Sequence, residues 1–242
     1  EKELAKKGGF FRVLAGMRYT HPAIGEALHL FQKEGVGKVV PVSLSPHFSR
    51  ITTGAYLEEA KRVKKEDSLP LEILPAFSWY DHPLFIKGLS LRVREGLAVF
   101  PPEKRPGVQV IFTAHSLPES YIRDGDPYVR ELEATVEALV RVLGSVDWHL
   151  AYQSRGRGGG KWLGPLAEEV LADVRRKGYR DVLVVPVGFT AEHVETLYDL
   201  DHVLRNQSLD WGLNFQRAGA LNTLPEFIQC LAAVVLQGTR QM

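Results

Sequence analysis

Cysteine is almost missing from this chain of 242 residues: Cys230 is the only one. One thiol cannot close an internal disulfide, and a single chain carrying it cannot build a four-thiolate iron–sulfur cluster or a cysteine-based zinc site. A reducing compartment fits. Long apolar runs are missing as well. No stretch approaches the roughly 18 residues needed to span a bilayer, and the start Glu1-Lys2-Glu3-Leu4 has no signal-peptide pattern. The cytoplasm is the expected location. Excess charge is the third thing lacking: the formal balance is +1, with no stripe that concentrates Lys and Arg. No nucleic-acid partner is expected, because neutralising a phosphate backbone takes a clustered basic surface.

What is present is the composition of a globular protein able to bury a core, 45% hydrophobic and 24% charged. The length suits one large α/β domain or two lobes, and the order of elements favours two. Strand-like apolar runs alternate with helical periodicity from end to end, the mark of βαβ units and mostly parallel sheets. Strands are predicted over residues 11–16, 38–43 and 72–76, with helices over 23–34, 53–65 and 82–99. Pro22 reads as a first helical position and Gly35 as the stop. Pro101, Pro102, Pro106 and Gly107 then cluster between periodic segments and set the expected lobe boundary, giving residues 1–102 and 103–242. The second half repeats the plan, with strands over 108–113, 148–153 and 182–187 and helices over 127–143, 163–177, 190–204 and 225–236. The first half is one βα unit short, and the opening residues read as the tail of a helix already under way, which creates the expectation of residues upstream.

In open parallel sheets, ligands lie outside the carboxyl ends of the strands, where loops gather. The unusual residues follow that rule. Ser45-Pro46-His47-Phe48-Ser49, Ala114-His115-Ser116-Leu117-Pro118, Gln153-Ser154-Arg155 and the run from Gly188 to Glu195 each follow a predicted strand. His115, two residues beyond its strand, is either a loop brace or a group that accepts a proton or binds a metal. Its company favours the second role. Glu192, Glu195 and Asp199 fall at i, i+3 and i+7 of the predicted helix, and His202 continues the row. With nothing basic at i+4, such a face is either wet surface or one that handles cations; oxygen and imidazole ligands suit a divalent ion such as ferrous iron.

Arg155 to Lys161 reads RGRGGGK but is no P-loop, because Trp162 stands where Ser or Thr must hold magnesium. It reads as a mobile, anion-tolerant loop or as a plain linker. Tyr56, Trp79, Tyr80 and Trp162 are candidates for a flat apolar wall, and each is also ordinary packing material. Cys230 belongs to the apolar face of the last helix.

These residues carry a resemblance that runs over nearly the whole chain. Met17-Arg18-Tyr19-Thr20-His21-Pro22, Phe112 to Pro118 with Gly125-Asp126-Pro127-Tyr128, Trp162-Leu163-Gly164-Pro165, and above all Val185 to Asp199 occur in the order and at the separations found in the ferrochelatases. The chain resembles that family. The likeness implies two Rossmann-like lobes, each a mostly parallel sheet flanked by helices, with a porphyrin cleft between them. It implies insertion of Fe2+ into a porphyrin, protoporphyrin IX or coproporphyrin III, in haem biosynthesis. His115 matches the family's active-site histidine and Glu195 the carboxylate placed opposite it across the macrocycle; both are expected to be catalytic and to meet the metal. Glu192 and Asp199 match further acidic positions, and Tyr56 and Trp162 match porphyrin-contacting positions. No cofactor is required: iron is a substrate, and the cysteines that hold an iron–sulfur cluster in some relatives are missing here. Porphyrin and ferrous iron are the expected partners of a monomer without a transmembrane segment, and contact with a membrane surface is left open. Two departures stand out, a start that lacks the family's first strand and helix and a loop over 156–160 unusually rich in glycine. The competing readings are a chelatase placing cobalt or nickel in another tetrapyrrole, and a non-catalytic two-lobed carrier of a porphyrin or small anion.

Overall fold

The computed structural model describes residues 1–74, 78–156 and 159–240. The chain divides into two compact units, Glu1–Trp79 with Ile228–Met242, and Tyr80–Phe227. The boundary expected after residue 102 thus lies inside the second unit.

In the first unit, α1 (Lys2–Ala5) precedes a long irregular stretch, then α2 (Ile24–Lys33). The carboxylate of Glu26 accepts the Ala23 N–H at 2.7 Å and closes the start of α2, while Gly35, at φ 74°, ends it in the left-handed conformation that glycine allows. Pro22 stands before this cap rather than inside the helix. Residues 11–16 form no strand, correcting the expectation. Most of them are exposed, and the Val13 N–H donates to Glu1 Oε1 at 2.9 Å instead of to a ladder. The short strands β1 (Lys38–Val39) and β2 (Glu72–Ile73) pair in parallel. Between them lie a π-helical turn, Arg50–Gly54, and α3 (Ala55–Glu66). The predicted strand over 72–76 extends past the described residues at Pro75. Leu28, Ala60, Val63, Leu69 and Leu71 form the core here. His47 and Ser49, expected on the rim at the carboxyl end of a strand, are completely buried.

The second unit carries a four-stranded sheet, all parallel. It runs α4 (Pro83–Ala98), β3 (Gln109–His115), α5 (Glu119–Arg123), α6 (Tyr128–Leu143), β4 (Asp147–Gln153), α7 (Ala167–Arg176) and β5 (Asp181–Pro186). After these come α8 (Val194–Thr196), a π-helix over Leu197–Leu204, α9 (Arg205–Asp210) and β6 (Asn214–Arg217), and then the start of α10 (Pro225–Arg240), which from Ile228 on belongs to the first unit. The strand order is β4-β3-β5-β6. Both faces are covered, as the unbroken apolar runs require. On one face Ile111, Val182, Val184, Leu171, Leu200 and Phe215 form a core, and burying each stabilises the fold by about 1.5–3 kcal/mol. On the other, α4 passes so close to β5 that a Cβ on Gly96 would stand 2.7 Å from Leu183 Cδ1. The strand β6 was not anticipated from sequence. Nor was the late start of α7, which follows an extended cap at Leu166.

Burial pushes the His47 imidazole down to about 3 from an ordinary value of 6.5. The folded chain refuses a proton over the interval in which the unfolded chain takes one up. Stability therefore falls as pH drops below the ordinary value toward the folded one, by up to about 1.4 kcal/mol per pH unit. Denaturant unfolding of the native chain and of His47→Gln across this interval is expected to show the slope in the first and its reduction in the second. Equal slopes would remove His47 as its source.

Candidate active site

The chain leaves β3 toward β4 on one side and leaves β5 toward β6 on the other, so the carboxyl ends of β3 and β5 flank the point where the strand order reverses. Crevices open at such points. His115 is the last residue of β3, not a loop residue two positions beyond it. Side chains alternate along a strand, and Ile111, Thr113 and His115 share one parity. Ile111 belongs to the core that α7 and the π-helical Leu200 and Leu204 complete. Parity alone thus puts the imidazole on the face occupied by the segment that follows β5. Glu195 comes from that segment, and its Oε1 lies 2.7 Å from His115 Nδ1, with side-chain exposures of 37% and 38%. The two groups touch. The expectation that they face each other across a macrocycle is corrected, since no ring fits between atoms at hydrogen-bond distance.

The hydrogen bond from His115 holds the Glu195 carboxyl below the usual carboxylate range, against the opposing effect of burial, with smaller help from the Ser154 hydroxyl and His193. Ser154 follows β4 and sits at φ 60°, a left-handed conformation uncommon outside glycine. Its hydroxyl donates to Asp199 Oδ2. His115, Ser154, Glu195 and Asp199 therefore form one cluster drawn from the ends of three strands. Phe189 stands edge-on to the His115 ring, centroids 6.5 Å apart. Under the cluster, the Tyr128 hydroxyl donates to the His115 carbonyl at 2.9 Å, and burial pushes this phenol upward, keeping it a neutral donor.

The helix predicted over 190–204 begins only at Val194 and is π-helical from Leu197. Glu192 lies outside the helix, two residues before its first turn, so the three carboxylates do not share one helical face. Glu192 instead meets Arg217 Nη1 at 3.0 Å and accepts the Ala220 N–H at 2.9 Å. Arg217, largely buried, also forks onto Asp201 at 2.6 and 2.9 Å. A basic partner does relieve the acidic segment; it arrives from β6, where helical spacing could not show it. The His202 ring lies tilted against that of Tyr198, centroids 5.4 Å apart, and meets the Asn206 amide.

Trp162 is half-buried and bridges Pro118 in the loop after β3, and a Cβ on Gly156 would meet its indole at 2.4 Å. The remainder of the glycine-rich loop includes Arg157 and Gly158, which lie outside the described residues. Tyr56 is partly exposed on α3 of the first unit. Trp79 is core, its indole N–H donating to the Ser43 carbonyl at 3.1 Å. Among the described residues no three His, Cys, Asp or Glu groups converge as a metal cage, and no helix is long and apolar enough to cross a membrane.

Comparison with known proteins adds independent findings. The sequence pattern of the family described as Ferrochelatase matches residues 1–239. A ferrochelatase of Geotalea uraniireducens is 42% identical over 231 residues, 95% of this chain and 72% of that protein. One of Aquifex aeolicus is 38% identical over 232 residues, 94% of this chain and 72% of the relative. Among solved structures, SirB from Bacillus subtilis with Fe3+ matches 99% of this chain and 86% of its own with a TM-score of 0.72 at 13% identity. That likeness shows the chelatase-like α/β fold.

Arg217 holds two carboxylates, so Arg217→Met is expected to lower unfolding stability by about 2 kcal/mol. Arg217→Lys should recover only part of it, lacking the fork. Urea unfolding checks both, and unchanged stability in the methionine variant would contradict the clamp.

Proposed function

We propose, since the chain belongs to the ferrochelatase family, that it inserts ferrous iron into a porphyrin with release of two protons, a step of haem biosynthesis. The observation that carries the reading is the contact of His115 with Glu195 at the switch point of the second sheet. Metallation needs a group that accepts pyrrole protons and a ligand that presents iron to the ring nitrogens. A histidine hydrogen-bonded to a carboxylate supplies both.

The assignment follows from the electrostatics. Glu195 is held low and accepts from His115, which places an imidazole proton on Nδ1 and, in the neutral ring, makes Nε2 the proton acceptor or iron ligand. Asp199, tied to Ser154, extends the acidic surface along which a divalent ion approaches. Glu192, bound by Arg217, acts on the structure of this segment rather than on the metal. Trp162 and Tyr56 are assigned to the porphyrin's apolar surface. Binding along the periphery of the ring can bend it so that its lone pairs meet the ion, which is ground-state strain put to use.

No electron changes hands in metallation, so the reaction needs no resident redox cofactor. The reading is completed by a monomer acting in the cytoplasm. A carrier that binds porphyrin without metallating it is the rival from another class, and it has no use for a proton acceptor backed by a carboxylate.

Anaerobic addition of ferrous iron and excess porphyrin, followed by absorbance, separates the two: turnover of many porphyrins is expected, and a stoichiometric binding shift alone would overturn the enzyme. His115→Ala is expected to abolish turnover and Glu195→Gln to lower it at least about a hundredfold. Both variants should remain folded by circular dichroism, because the two side chains are half-exposed. A near-normal rate in either would remove that residue from the chemistry.

A further inference from the structure

The motif Gly125-Asp126-Pro127-Tyr128 takes no part in the chemistry above, yet its geometry is specific. Gly125 turns the chain at φ 86°. The Asp126 N–H donates to the Tyr121 carbonyl at 3.0 Å, and Asp126 Oδ1 accepts the Tyr128 N–H at 3.1 Å, so the turn is bonded on both sides. Tyr128 then opens α6, whose stripe of Tyr128, Leu132, Val136 and Leu139 is buried. The phenol is thereby fixed in a packed wall with its hydroxyl on the carbonyl of His115. Pairing of β3 with β5 stops at Thr113 opposite Pro186, two residues earlier. His115 is thus the point at which the sheet gives out on that side.

We infer that Tyr128 is a positioning residue for the reaction, fixing the backbone of His115 through its hydroxyl so that the imidazole keeps its hydrogen bond to Glu195. The argument is geometric. A half-exposed imidazole at a strand end is aimed by its backbone, and a bond of 2.7 Å to a carboxylate tolerates only a few tenths of an ångström before it weakens. The inference rests on the role given to His115 above.

Tyr128→Phe removes the hydroxyl and keeps the ring. Turnover should fall about tenfold, with the porphyrin KM changed by less than about twofold. The second readout needs no turnover. In protein labelled with 15N-histidine, the imidazole resonances of His115, identified by their loss in His115→Ala, should move in Tyr128→Phe. Val136→Ala, a cavity about two turns further along the stripe of α6, serves as control: it should lower the melting temperature while leaving kcat and those resonances in place. Unmoved resonances in Tyr128→Phe, or a loss of turnover that merely tracks melting temperature in both variants, would overturn the inference. Should the native chain fail to metallate porphyrin, the functional reading falls, and displacement of the His115 resonances still reports on the positioning.

Discussion

Parallel pairing of β3 with β5, in the register that sets Gln109 against Val182 and Thr113 against Pro186, brings positions far apart in the chain to one place. Everything at the site depends on it. Because β4 lies on the far side of β3, the connections that leave β3 and β5 part in opposite directions, and the space above their carboxyl ends is left to side chains. The approach is close. A Cβ on Gly188 would stand 2.9 Å from that of Ala114, so the chain leaving β5 can lie against the end of β3 only with glycine at this position. That contact carries Phe189 to the edge of the His115 ring and delivers Glu195 to its Nδ1.

The electrostatics of the segment divide into two groups with different work. Glu195 and Asp199 face His115 and Ser154, polar groups that leave both carboxylates reachable. Glu192 and Asp201 are gathered by Arg217 from the neighbouring strand. Four carboxylates on a short segment would repel one another if all were left alike; pairing two with a largely buried guanidinium relieves that crowding and leaves the other two to polar partners. A charge pair of this kind adds little net stability but fixes geometry, since breaking it strands a charge in a poor solvent.

Much of this was legible in the residues. The strands ending at His115 and Pro186 are legible within one or two positions, because runs buried on both faces are largely apolar, and the edge strand ending at Gln153, exposed at its start, is legible from its buried second half. His115 and Glu195 were singled out by type and place, and the structure brings them together. Three things were not legible. The run over 11–16 has strand composition, but a strand exists only with a partner, and its amide at Val13 bonds a side chain. Strand β6 has four residues and too little periodicity to register, and Arg217, the missing counter-charge, went with it. The π-helix is defined by which carbonyl each amide chooses, a matter of tertiary fit that apolar spacing does not encode. The three-carboxylate row failed for that reason, having been drawn with a regular helical period through a segment that starts late and winds wide.

The strained residue of the site argues the same point from energy. A serine at φ 60° costs about 1–2 kcal/mol relative to an ordinary conformation, and nothing in strand geometry asks for it immediately after β4. What retains it is its hydrogen bond to Asp199, on a segment that Arg217 and the apolar contacts of Leu200 and Leu204 already hold. Such a residue persists only where the surroundings over-determine it. The surroundings here are the two parallel strands beneath His115, the clamp from β6 and the wall of α6, which the proposed reaction uses for support rather than for chemistry. Stability is concentrated in those parts. The cost of a partly exposed His115–Glu195 hydrogen bond and a left-handed serine is carried at the rim by the paired strands beneath it.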